Sequence, residues 1–216
     1  MKGKIDCFLP KMSEDILQPF LNQLNDNLLV EQVVVTNDSE RNIHYPIAST
    51  ESLQKIAEQA INDYVLLVLR PTRIVMGQNA LQRLFYTAQV TGAAMVYADH
   101  YVEVDGERRS YPVIDYQLGS VRDDFDFGSI VLLRKDLLCE WAQTARQYTY
   151  AGFYDLRLFL SRRSSLFHLN EYLYTEWQID CRKSGEKQFD YVNPLLKEVQ
   201  IDMERAVTAH LEQLHA

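Results

Sequence analysis

The feature that most constrains the fold is the apolar run "YVLLVL" at residues 64–69, which ends at Arg70 and Pro71. A strand without a polar face is typical of a sheet covered by helices on both sides. Shorter apolar runs alternate with amphipathic segments over the first two-thirds of the chain, among them "KIDCFLP", "LVEQVVVTN" and "AAMVYADHY". This alternation predicts an α/β fold with an open, doubly wound sheet.

Length and composition predict one soluble domain over residues 1–216. We expect a core over about 1–180, a polar loop over 181–192 and a helix over 193–214. The net charge of −8 argues against a nucleic-acid partner, and no apolar run has membrane-spanning length. Three scattered cysteines without a CxxC pair, and no signal peptide, favour the cytoplasm, with a peripheral position at the inner membrane as the alternative.

Several local sequence signals predict individual helices and turns. Asp105-Gly106 predicts a tight hairpin turn, and Ser49 or Thr50 can cap a helix over "ESLQKIAEQAIND". For the last helix, periodicity predicts one apolar face, made of Leu196, Val199, Met203, Val207, His210, Leu211 and Leu214.

Ligands of open α/β sheets bind beyond the carboxyl ends of the strands. The expected strand ends are Pro10-Lys11, Asn37-Asp38-Ser39, Leu69-Arg70-Pro71-Thr72 and Asp99-His100.

The order of these segments resembles the family-two glycosyltransferases of the GT-A fold. "CFLP" and "VVVTNDSE" are similar to the first two strands of that family, and "DYVLLVLRPTRIVMGQNALQRL" to the strand and helix around its metal motif. "FGSIVLLRKDLL", "AGFYDLRLFLS" and "HLNEYLYTEWQIDCRKSG" follow in the order of its later segments. The chain looks especially like the amino-terminal half of tandem Bacteroidetes glycosyltransferases, in which a second transferase domain follows.

The resemblance implies a mixed open sheet with helices on both faces, a nucleotide-sugar donor and a glycan acceptor. It also implies Mg²⁺ or Mn²⁺ on an Asp-x-Asp motif and a catalytic Glu-Asp pair. Here Leu69-Arg70-Pro71-Thr72 replaces the metal motif, and Gly152 and Phe153 replace the catalytic pair. The chain is therefore expected to bind a nucleotide sugar for polysaccharide synthesis with weakened or absent catalysis. The alternative is an inactive scaffold or acceptor-binding module that partners an active transferase domain, carried on the same chain or a separate one.

The candidate site residues follow from this comparison. Arg70 and Arg73 are cations that can neutralise a diphosphate, so metal-independent binding is favoured. The other donor-site candidates are Pro10, Asp38 and Ser39. Candidates for acid–base chemistry are Asp99, His100 and Asp155.

Three further segments leave alternatives open. "VRDDFDFGS" has the spelling of a metal motif, with Asp124 and Asp126 as ligands, but it is expected to enter a later strand than the metal strand. Arg182, Lys183 and Lys187 form either a basic lid over phosphates or a solvated loop. The aromatic residues Tyr172, Tyr174 and Trp177 either stack on sugars or form the hydrophobic edge of a closing strand.

Overall fold

The computed structural model describes residues 4–36, 47–177 and 194–215. Its strands are β1 (Ile5–Pro10), β2 (Val30–Thr36), β3 (Tyr64–Val68), β4 (Ile74–Met76), β5 (Met95–Val104), β6 (Glu107–Tyr111), β7 (Ile130–Arg134) and β8 (Leu166–Trp177). Its helices are α1 (Glu14–Asn25), α2 (Thr50–Gln59), α3 (Ala80–Thr91), α4 (Lys135–Thr144), α5 (Gly152–Arg163) and α6 (Pro194–Leu214).

The strands form one mixed sheet in the order β2-β1-β3-β7-β5-β8-β4, and β6 pairs with β5. β1 is parallel to β2 and β3, whereas β7 is antiparallel to both β3 and β5. One core packs α2, α4 and α5 against the sheet, and a second core packs α1 and α3 against the other face. The predicted open sheet with helices on both faces is confirmed.

β3 explains why the chain needs a continuous apolar run. Val65 and Leu67 belong to the first core, while Leu66 and Val68 belong to the second, and all four side chains are fully buried. Successive side chains of a strand point to opposite faces, so a strand between two cores must be apolar at every position.

The hairpin between β5 and β6 has the predicted turn. Asp105 and Gly106 both have positive φ, +53° and +80°, as a two-residue turn between right-handed twisted strands requires. The prediction that Asp99 and His100 end their strand is wrong, because β5 continues to Val104. Pairing with β6 and β8 on its two edges carries β5 past the polar pair, and both side chains are buried.

α6 begins and ends close to the expected bounds, but its buried face differs. Leu211 and Leu214 are 38% and 48% exposed, whereas Ala206 and Ala209 are buried. The helix packs Ala206 against the large side chains of Tyr148, Tyr154 and Leu158, together with the half-buried Met203 and Val207. Small residues let α6 approach this surface closely, and counting apolar positions alone does not predict that.

Ser49 caps α2 as predicted, accepting a hydrogen bond from the backbone N–H of Ser52. The short strand β4 was not predicted, and it joins the sheet through antiparallel pairing with the end of β8. None of the helices in the described ranges combines the length and the apolar character that a bilayer crossing requires.

Candidate functional site at the end of β3

The candidate site lies where β3 ends, and Arg70 is its central cation. The Arg70 Nη2 atom lies 2.6 Å from Asp126 Oδ1, and its Nη1 atom lies 3.7 Å from Glu176 Oε1. The Arg70 side chain remains 46% exposed, so solvent reaches it. The arginine is thus fixed between two carboxylates at the strand end.

Antiparallel pairing explains how Asp126 reaches this place. Val68 pairs with Ile130, and the Leu69 N–H donates to the carbonyl of Ser129 at 2.9 Å, so residues before β7 lie beside residues after β3. The Asp-Phe-Asp stretch does precede a later strand, as expected. That strand runs back along β3, which brings Asp126 to the carboxyl end of β3.

Three donors converge on the Asp126 carboxylate. Besides Arg70, the backbone N–H of Gly128 donates to Oδ1 at 2.8 Å, and the Tyr111 hydroxyl donates to Oδ2 at 3.2 Å. Gly128 has φ +74°, and a Cβ there would overlap the Tyr174 hydroxyl oxygen. The close approach of β8 therefore requires glycine at this turn.

Glu176 forms the floor of the site and is only 9% exposed. Its Oε2 atom accepts a hydrogen bond from the Ser129 hydroxyl, and its Oε1 atom lies 3.5 Å from His100 Nε2. The fully buried His100 ring stacks on Tyr174 at 4.9 Å and lies 4.8 Å from the Tyr111 ring. Neither ring nitrogen of His100 has a hydrogen-bond partner among the described residues.

The electrostatics of the site follow from these contacts. Burial alone would lower the pKa of Arg70, but the carboxylates of Asp126 and Glu176 raise it above its usual value. The pKa of Tyr111 is raised mainly by the Asp126 charge and secondly by burial. One arginine and two carboxylates leave one excess negative charge when His100 is neutral.

A divalent cation does not fit the described residues here. The Arg70 guanidinium takes the place between the two carboxylates that a metal would need, and in the described ranges no three His, Cys, Asp or Glu side chains form a group able to hold a metal. Asp124 pairs instead with Arg122 at 2.9 Å, and this hydrogen bond, opposed by desolvation, lowers the pKa of Asp124.

The remaining donor-site candidates lie around the same edge or outside the described residues. Pro10 ends β1, which is parallel to β3 and pairs Phe8 with Leu67. Pro10 and Arg70 therefore both lie at the carboxyl ends of these neighbouring strands. Arg73 is exposed, and its guanidinium carbon lies 4.4 Å from the centroid of the Trp177 ring. Asp38, Ser39 and the predicted lid residues Arg182, Lys183 and Lys187 lie outside the described residues.

Asp99 is buried and belongs to a separate network that reaches the surface at Asp115. Its Oδ1 atom accepts from the Val113 N–H at 2.9 Å and lies 2.8 Å from His168 Nε2, and His168 Nδ1 lies 2.7 Å from Asp115. These bonds attach the segment after β6 to β5 and β8. The structure therefore separates Asp99 from His100, which contacts Glu176 instead.

The start of α5 is where the resemblance expects catalytic carboxylates, and here it is closed. A Cβ on Gly152 would lie within 2.6 Å of the Ala48 carbonyl oxygen and would also overlap the Thr50 backbone nitrogen. A side chain at this position requires displacement of the backbone of residues 48–50. Asp155, one turn later, accepts from the Trp141 indole N–H at 2.7 Å, and burial raises its pKa.

Sequence reasoning missed Glu176, Tyr111, Ser129 and His168. A charged residue inside the aromatic segment "EYLYTEW" was a usable signal, because a carboxylate in a buried strand is normally paired. The other three carry no such signal, since only strand pairing brings Tyr111 and Ser129 to the site and His168 to the neighbouring Asp99 network. Beside Asp126, a cleft of about 200 Å³ lies between residues 111–114 and 122–126.

Comparison with known proteins rests on structure alone, because no family model and no curated protein sequence matches the chain. Mannosyl-3-phosphoglycerate synthase from Rubrobacter xylanophilus superposes with a TM-score of 0.57 at 12% identity, covering 98% of this chain and 75% of that one. Glucosyl-3-phosphoglycerate synthase from Mycobacterium tuberculosis, in complex with Mg²⁺ and UDP, gives 0.55 at 13% identity, covering 94% and 79%.

Two structures of S. aureus TarS are also similar. One gives a TM-score of 0.54 at 14% identity, and the chain spans 82% of its own length but 37% of that protein. The other, in complex with UDP-GlcNAc, gives 0.50 at 11% identity, with coverages of 84% and 60%. At these identities the likeness concerns the fold, and it confirms the expected one. The chain has the GT-A fold of the nucleotide-diphospho-sugar transferases.

Proposed function

We propose that this chain is a GT-A module of glycan synthesis that binds a nucleotide-diphospho-sugar without a divalent cation and does not transfer the sugar. The observation that carries the proposal is the Arg70 guanidinium, fixed at the end of β3 on a side chain that is 46% exposed. A guanidinium presents parallel N–H donors that match phosphate oxygens, and it is always charged. It can therefore supply the positive charge that a metal-dependent site takes from its cation.

The start of α5 supports the proposed absence of transfer. Removal of the acceptor proton needs a base within hydrogen-bond reach. The backbone of residues 48–50 fills the space beside Gly152, and the Asp155 carboxylate is bound to Trp141. The related structures support the donor class, since TarS was crystallised with UDP-GlcNAc and the M. tuberculosis synthase with UDP and Mg²⁺.

Calorimetric titration tests the proposal. UDP, GDP and dTDP are titrated into the protein with and without Mn²⁺, and into the Arg70→Ala and Arg83→Ala variants. We expect metal-independent binding of at least one nucleotide, lost in Arg70→Ala and kept in Arg83→Ala. Arg83 is a matched control because it is an exposed arginine of α3 that, like Arg70, pairs with a carboxylate, here Glu171 of β8. Binding that requires Mn²⁺, or release of nucleotide from its sugar on addition of a glycan acceptor, contradicts the proposal.

The second candidate is an inactive module that binds an acceptor glycan for a partner transferase domain. It is favoured by the stacked rings of Tyr101 and Tyr172, 4.7 Å apart, with the Arg108 guanidinium 3.6 Å from the Tyr101 ring centroid. Tyr172 is 38% exposed, so a sugar ring could pack on it. Binding to a glycan array that is lost in Tyr172→Ala, with no nucleotide binding, would favour this candidate.

A further inference from the structure

The donors around Asp126 form an anion-binding cradle that the protein fills with its own carboxylate. One oxygen accepts from the Arg70 guanidinium and the Gly128 N–H, and the other accepts from the Tyr111 hydroxyl. We propose that Asp126 is an internal competitor that occupies Arg70, and that a nucleotide diphosphate binds by displacing it. This inference rests on the proposed function, because it names the regulation of the same site.

The two carboxylates at Arg70 differ in how firmly they are held. Glu176 is 9% exposed and also accepts from the Ser129 hydroxyl, so it stays in place and orients the guanidinium. Asp126 is 31% exposed, at the end of the segment that borders the cleft. Three donors contact Asp126 and one described donor contacts Glu176, but ion pairs of solvent-accessible groups contribute little net stability, and solvent reaches Asp126. Asp126 is therefore the carboxylate that leaves.

The charge of the site explains why displacement matters. With Asp126 in place, the charges of Arg70, Asp126 and Glu176 sum to one excess negative charge, which repels a diphosphate. Without Asp126, the positive charge of Arg70 and the negative charge of Glu176 cancel. A site open for only a fraction of the time binds its ligand more weakly by that fraction. Removing the charge of Asp126 should therefore tighten binding of the diphosphate, even though Asp126 itself lies inside the site.

Asp126→Asn tests the inference, because asparagine keeps the shape and removes the charge. We expect inorganic pyrophosphate and the nucleoside diphosphates to bind about fivefold more tightly to this variant than to the unmodified chain, as loss of a weak ion pair predicts. The matched control is Asp136→Asn, which removes a carboxylate from the Arg134 pair at the far end of β7 and should leave both affinities unchanged. Melting temperatures of both variants verify folding.

The outcomes separate this inference from the proposed function. Tighter pyrophosphate binding to Asp126→Asn without binding of any nucleotide supports the competitor and refutes the nucleotide site. Equal or weaker binding of nucleotides to Asp126→Asn supports the nucleotide site and overturns the competitor. Loss of Mn²⁺-dependent binding in this variant makes Asp126 a metal ligand and overturns both. Failure of pyrophosphate to bind either protein also overturns the competitor.

Discussion

Asp155 is a half-buried carboxylate whose charge costs the protein stability. Burial raises its pKa from the usual 3.8, while the Trp141 hydrogen bond and the more distant Arg162 and Arg146 act in the opposite direction. The native state therefore binds the proton more tightly than the unfolded state does. Protonation of Asp155 therefore stabilises the native state. This contribution is complete below pH 3.8 and is lost as the pH rises through the native pKa of Asp155.

Two substitutions separate the charge of Asp155 from its hydrogen bond. Asp155→Asn keeps an oxygen for the Trp141 N–H, so we expect unchanged or higher stability at pH 7 and a flatter pH dependence. Asp155→Ala leaves the indole N–H unpaired and should cost about 1–3 kcal/mol. Urea denaturation between pH 4 and 8 measures both. Equal losses in the two variants would contradict this account.

Asp136 provides a control of opposite sign. Burial is the largest single effect and raises its pKa, but the hydrogen bond and charge of Arg134, together with backbone hydrogen bonds, outweigh burial, and the net shift is downward. Asp136→Asn should therefore lower stability at neutral pH, with the difference disappearing as the pH falls through the native pKa.

Single residues of the site differ in how far the sequence predicts them. Arg70 was identifiable because it ends the most apolar run of the chain. Its pairing with Asp126 and Glu176 was not, because these residues reach Arg70 only through the pairing of β7 with β3 and of β8 with β5.

At the scale of elements, α5 begins at a glycine for a packing reason. Gly152 is the first residue of the helix, where glycine is normally a poor helix former. Helix propensity alone therefore predicts that Gly152→Ala stabilises the protein. The structure predicts the opposite, because the new Cβ would overlap the backbone of residues 48–50.

We expect Gly152→Ala to destabilise the protein by about 3 kcal/mol or more, the size typical of strong overpacking. The urea midpoint measures the change, and Ser161→Ala on the same helix serves as the control for propensity. A Gly152→Ala protein as stable as the unmodified one would show that residues 48–50 can move away, which would also reopen the position to a catalytic carboxylate.

Elements with a strong local signal were predicted well. β3 and the β5–β6 hairpin follow from apolar content and turn chemistry. The three-residue strand β4 was missed because it is too short for a periodic pattern and its pairing with β8 leaves no local signal in the sequence. The buried face of α6 was partly wrong, because alanines that pack against tyrosines do not register as an apolar stripe.

At the scale of the molecule, α6 is part of the structure that supports the site. Asp202 on α6 accepts from the backbone N–H groups of Thr149 and Tyr150, at 2.8 and 3.0 Å, just before α5. α5 in turn holds the segment that carries Asp126, since the Tyr154 hydroxyl donates to the Val121 carbonyl and Arg157 donates to the Arg122 carbonyl. A chain of contacts thus runs from α6 to Arg70.

Asp202→Ala should loosen this chain at a defined point. Two backbone N–H groups lose a charged acceptor, so we expect a loss of about 1.5–3 kcal/mol and faster hydrogen exchange at the Thr149 and Tyr150 amides. Glu204→Ala, an exposed residue on the same helix, should change neither quantity. If the two amides of Asp202→Ala exchange at the unmodified rate, α6 does not stabilise the start of α5, and its packing would then matter for α6 alone.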